Sequence, residues 1–161
     1  MIASVTPLPV GPAMVKVIDL AAGPSAADIV LNITTAAAKT VQIGIACDLS
    51  TQACGATATL SFAAGGRAVT LSVGARAMAF PLLPGETTLP VRVMTDLQSV
   101  EVFVGGGRGV YSGGLSYAAC AAVPCAITAT AATATSTAPA AADETTVSAT
   151  AWAMSSIFDR G

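Results

Sequence analysis

The chain has 161 residues, of which 53% are hydrophobic and 10% charged, with a net charge of -2. That length suits one domain with a sizeable core, while the charged share falls well below the roughly 25% of an average soluble domain. Much of the apolar share is alanine interleaved with Thr, Ser and Gly, so a surface solvated through hydroxyls is expected in place of a charged one.

The basic residues Lys16, Lys39, Arg67, Arg76, Arg92, Arg108 and Arg160 are scattered. They form no stripe that could track a phosphate backbone, so no nucleic-acid partner is expected. Histidine is absent, which removes the commonest general base and metal ligand. No cofactor and no metal site are expected. The N-terminal MIASVTPLPVGPAMV lacks a basic start and carries three prolines, a poor match to a signal peptide. The uncharged run from Gly109 to Ala142 is mostly Ala and Thr and holds Pro124 and Pro139, so no membrane span is expected there.

In chain order, residues 1–13 read as an extended arm or linker remnant, because Pro7, Pro9 and Pro12 exclude a central strand. Period-two alternation then begins. Ile29, Leu31 and Ile33 share one face, opposite Asp28 and Asn32. Val41, Ile43 and Ile45 repeat the pattern, as do Ala58, Leu60 and Phe62, and then Val69, Leu71 and Val73. Such alternation belongs to half-buried antiparallel strands. Turn-forming stretches at Ala63–Gly66, Leu83–Glu86 and Gly105–Gly107 separate these runs. Ten to twelve strands are expected, as in a sandwich or jelly roll. The tract from Ile127 to Glu144 reads as a long Ala/Thr loop, and the run from Val147 to Phe158 as a closing strand. Trp152, the one tryptophan, is expected to fill a core or an interface.

Cys47, Cys54, Cys120 and Cys125 fall into two local pairs. Either they close two hairpin-spanning disulfides in an oxidising compartment, or they are four small core residues. If disulfides form, short loop closure favours Cys47–Cys54 and Cys120–Cys125. Asn32-Ile33-Thr34 fits the N-glycosylation pattern.

Carboxylate pairs deserve scrutiny because glycoside hydrolysis needs two carboxyls roughly 5–10 Å apart. Asp96 and Glu101 have an odd separation, which on one continuous strand puts them on opposite faces. If Leu97-Gln98 forms a tight turn instead, the Asp96 side chain caps it. Val100, Val102 and Val104 are expected to face the core, leaving Ser99, Glu101 and Phe103 outside. Gly105–Gly109 lacks a following helix and a Lys-Ser/Thr close, so it reads as a hairpin turn and not a phosphate loop.

The segment LPVRVMTDLQSVEVFVGGGRGVYSG, Leu89 to Gly113, resembles the signature of the C-terminal domain of glycoside hydrolase family 32, the invertases and fructan hydrolases. The matching positions are Arg92, Asp96, Ser99, Glu101, Phe103, Gly107 and Arg108. Upstream, TLSVGARAMAFPLLPGETTL and ADIVLNITTAAAKTVQIGIACD are similar to the family's preceding strands, and VSATAWAMSSIF to its closing strand. The resemblance covers residues 14–158, leaving 159–161 as a tail. It implies an all-β, two-sheet antiparallel β-sandwich, jelly-roll or concanavalin-like. In the family, this domain packs on a five-bladed catalytic β-propeller. The family's catalytic motifs, Asn-Asp-Pro-Asn, Arg-Asp-Pro and Glu-Cys, are absent. The resemblance thus implies no catalytic residue here and a propeller as partner, and with the cysteine pairs an extracellular or vacuolar setting. The alternative is a stand-alone carbohydrate-binding or structural surface module, with carbohydrate as its partner.

Overall fold

Among the described residues the chain forms twelve strands and one short 3-10 helix. The computed structural model describes residues 3–22, 26–35, 39–65, 67–120, 123–133 and 145–154. In chain order the strands are β1 (Ala3–Val10), β2 (Val15–Ala22), β3 (Ala27–Thr34), β4 (Lys39–Asp48), β5 (Ala53–Phe62) and β6 (Ala68–Val73). There follow β7 (Arg76–Pro81), β8 (Thr88–Asp96), β9 (Ser99–Val104), β10 (Gly109–Gly114), β11 (Pro124–Thr133) and β12 (Thr145–Ala153), with the helix at Ala118–Cys120. They form two six-stranded sheets ordered β1-β12-β3-β8-β9-β10 and β2-β11-β4-β5-β6-β7. Every pairing is antiparallel. The protein is an all-β sandwich.

Burial follows the pleat. Ile29, Leu31 and Ile33 of β3 meet Val41, Ile43 and Ile45 of β4 in one core, joined by Leu60, Leu71, Val91, Val93, Val100, Val102 and Val104. Each such side chain contributes about 1.5–3 kcal/mol when fully buried. The residues between them turn outward, giving β3 and β8 their strict alternation, with Thr95 on the buried side of β8.

Two stretches differ from expectation. The proline-bearing arm is not loose: Ala3–Val10 pairs with β12 as an edge strand, a position where prolines are tolerated. Within the expected Ala/Thr loop, β11 runs through Thr133 between β2 and β4. Ala126, Ile127, Thr128 and Ala129 are all buried there. Residues 134–144 and 155–161, with Phe158 and the expected tail, lie outside the described residues.

The cysteines sit at one end of the second sheet. Cys47 and Cys54 are direct cross-strand neighbours and are bonded, with Cα atoms 4.0 Å apart. Cys120 and Cys125 are bonded at a Cα separation of 5.3 Å, tying the 3-10 helix to the start of β11. The β4–β5 turn beside them is held by Asp48, whose carboxylate accepts from Ser50 N–H (2.8 Å), Ser50 Oγ (2.8 Å) and Thr51 Oγ1 (3.0 Å). The hydrogen bonds from the Ser50 hydroxyl and N–H, with that from Thr51, hold this exposed carboxyl below its ordinary value.

Candidate docking face

The β8–β9 hairpin turns tightly at Leu97-Gln98. Leu97 adopts φ 43°, a left-handed conformation that costs a non-glycine residue about 1 kcal/mol. Ser99 Oγ donates to the backbone carbonyl of Asp96 at 3.1 Å, so the bond across the turn uses the Asp96 main chain and not its side chain as anticipated. The turn pairs Asp96 with Ser99 and Met94 with Glu101. Asp96 and Glu101 therefore share the outer face as diagonal neighbours, correcting the opposite-face reading. An odd separation across a two-residue turn returns the chain to the same side.

On β9, Val100, Val102 and Val104 are buried and Ser99, Glu101 and Phe103 look outward, the last two half-buried. Register places Thr150, Val30, Arg92, Phe103 and Val110 in one row across five strands. Trp152, Asp28, Met94, Glu101 and Ser112 form the next row. Arg92 donates Nε to Asp28 Oδ1 at 2.8 Å and Nη2 to Oδ2 at 2.7 Å, a two-pronged pair that fixes both side chains. The hydrogen bonds to Asp28 and then its charge raise the Arg92 guanidinium above its ordinary value. Beside this pair, Val30, Pro90, Arg92, Phe103, Gly106 and Gly107 line an open groove of about 390 Å³.

Trp152 is 38% exposed on this face and does not fill the core. Phe62, Phe80 and Tyr117 are buried, and Tyr111 packs against the core. Asn32 is exposed on the same outer face, opposite Pro90.

The motif residues thus divide. Arg92, Asp96, Ser99, Glu101 and Phe103 gather on the face and Gly107 rims its groove, but Arg108 turns away. Arg108 donates Nε to Gly105 O (2.7 Å) and Nη1 to Pro81 O (2.6 Å), and Nη2 pairs with Glu86. Its guanidinium also lies 5.7 Å from the Phe80 ring centroid. The turn permits this because Gly105, Gly106 and Gly107 all take positive φ. Arg108 therefore clamps the β9–β10 turn to the link that carries the chain from the second sheet to the first. The sequence places Asp28 outward and Glu86 in a turn but signals neither arginine partner, and it marks neither Val30 nor Met94 on the face. The Asp28–Arg92 contact spans 64 residues, and nothing local in the sequence signals it. Among the described residues, no group of three His, Cys, Asp or Glu could hold a metal ion. No described helix is long and apolar enough to cross a membrane.

The chain superposes on exo-inulinase from Aspergillus awamori with a TM-score of 0.55 at 17% identity, over 96% of this chain and 29% of the inulinase. Against fructan 1-exohydrolase IIa from Cichorium intybus the TM-score is 0.59 at 11% identity, over 91% of this chain and 34% of that one. Sheep galectin-11 matches with a TM-score of 0.52 at 9% identity, over 90% of this chain and 99% of the galectin. The likeness is one of fold. The sandwich resembles the C-terminal portion of family 32 fructofuranosidases and inulinases, and also a galectin. The chain spans about a third of the length of the inulinase and the exohydrolase. No protein-family model and no curated protein matches the sequence.

Proposed function

We propose that the chain is a non-catalytic β-sandwich module of a β-fructofuranosidase-like glycoside hydrolase, docking on a catalytic propeller and stabilising it. The outer face of β3, β8 and β9 carries this reading. Phe103, Val30 and Pro90 offer apolar surface beside an Arg92 already held in place by Asp28. Docking would remove the apolar surface from water, and a prefixed arginine loses little freedom on binding. The likeness to family 32 enzymes and the quoted signature point to the propeller as the partner. The two disulfides favour an oxidising setting, extracellular or vacuolar.

The test is association of the purified chain with a family 32 propeller from the same genome, measured by calorimetry. Phe103→Ser is expected to weaken association roughly tenfold or more, as loss of a central aromatic does, while barely moving the melting temperature of the chain alone. Unchanged association would remove this face from the interface. The isolated chain is also expected to release no reducing sugar from sucrose, inulin or levan. Release that Glu101→Gln abolishes would contradict the non-catalytic assignment.

A second reading, a stand-alone carbohydrate-binding module, is favoured by the galectin likeness, which spans a whole chain, and by exposed Trp152. Titrating fructo-oligosaccharides while following Trp152 fluorescence separates the two: saturable quenching supports sugar binding, and its absence leaves docking.

A further inference from the structure

Four strands lie at sheet edges: β1 and β10 in one sheet, β2 and β7 in the other. An edge strand offers unpaired N–H and C=O groups to another chain, and natural sequences blunt such edges with proline, charge or bulges. Three of these edges are blunted. β1 carries Pro7 and Pro9 and a register shift between Val5 and Leu8. β2 carries the Lys16–Asp19 ion pair at 3.0 Å, and its ladder with β11 also shifts register. β7 begins at Arg76 and ends at Pro81. β10 has none of these devices: Gly109–Gly114 holds no charge and no proline, and it pairs with β9 residue for residue without a shift.

We propose that β10 is a self-pairing edge, through which two copies of this chain join antiparallel into one continuous sheet. Leu115 N–H donates to Gln98 O at 2.7 Å, which sets the phase of the β9–β10 ladder. Gly109, Tyr111 and Gly113 turn their backbone groups toward β9, and Val110, Ser112 and Gly114 turn theirs outward. Val110 shows the outward direction: its N–H leaves the sheet and donates to Met78 Sδ of β7 at 3.2 Å. A thioether is a weak acceptor, readily exchanged for a carbonyl.

A two-fold axis at Ser112 uses all three outward residues. Ser112 faces Ser112 of the second copy, Val110 faces Gly114 and Tyr111 faces Gly113. Residues directly opposite share a sheet face, so exposed Val110 meets a residue with no side chain, and hydroxyl meets hydroxyl. β10 itself brings no charge to the axis. The surface involved is the sheet edge, so this inference stands independently of the propeller reading.

Sedimentation equilibrium of the full chain over a wide concentration range tests it. A concentration-dependent dimer is expected. Ser112→Pro removes the central donor, whose N–H points away from β9, and Ser112→Lys sets like charges opposite one another. Each is expected to weaken association roughly tenfold or more, with Thr57→Lys, exposed on the second sheet, leaving it unchanged. Amide exchange at Gly114 in the unaltered chain is expected to slow as concentration rises, a readout that does not depend on variants folding. A chain that stays monomeric throughout, or a dimer that Ser112→Lys leaves intact, would overturn the proposal.

Discussion

Gly55→Ala is expected to cost about 3 kcal/mol or more, in the range of severe core overpacking. Gly55 lies in β5 next to Cys54, where the segment after β10 crosses close above it. A Cβ there would run into the Ser116 carbonyl oxygen, with the Ser116 carbonyl carbon at 2.9 Å and Leu115 Cδ1 at 3.1 Å. The obstacle is main chain, and it cannot easily retreat. Leu115 N–H is bonded to Gln98 O, Leu115 and Tyr117 are buried, and the Cys120–Cys125 disulfide anchors the following turn. Thermal unfolding followed by circular dichroism should show a drop of roughly 6–12 °C, at about 2–4 °C per kcal/mol for a domain of this size. Gly65→Ala, where a Cβ meets nothing within 4 Å, is the control and should change little. A Gly55→Ala protein as stable as that control would mean the crossing segment is not held where the structure puts it.

Arg108→Met is expected to destabilise the fold by about 1–3 kcal/mol near neutral pH, the cost of leaving a largely buried carboxylate and two carbonyls short of their donor. The Glu86 and Arg108 side chains are 13% and 22% exposed, so the pair is screened far less than a surface ion pair. Burial pushes the Glu86 carboxyl up, but the hydrogen bonds from Arg108 and Leu83 N–H, with the Arg108 charge, hold it below its ordinary 4.5. Because the folded value is depressed, this contribution is fully present above the unfolded value and is lost as pH falls through the folded one. The stability gap between Arg108→Met and the unaltered chain should therefore narrow in acid, as Glu86 becomes protonated in both. Denaturant melts at neutral and acid pH check this. A gap that stays constant would assign the effect of Arg108 to its stacking on Phe80 and its carbonyl contacts alone.

Sequence alone exposes most of the strands because Ile, Leu and Val alternate with Thr, Ser and Asn, a contrast that survives without knowing the partners. β11 escapes for the opposite reason. In PCAITATAAT the alternation is largely Ala against Thr, too small a difference in polarity to show a period. Buried Thr128, whose Oγ1 lies 3.3 Å from Cys47 Sγ, breaks the pattern further. The outward placement of Ser99, Glu101 and Phe103 is local and therefore legible. Asp28 beside Arg92, Trp152 in the row of Glu101, and Arg108 reaching Glu86 depend on register between distant strands. A pleat pattern does not carry that information.

The proposed docking through the outer face is tested most directly by hydroxyl-radical footprinting of the chain, alone and in complex with a family 32 propeller. Protection of Met94, Phe103 and Trp152 is expected, with oxidation of Leu49 at the β4–β5 turn unchanged. Unaltered labelling of those three side chains in a stable complex, or protection confined to the second sheet, would contradict the assignment.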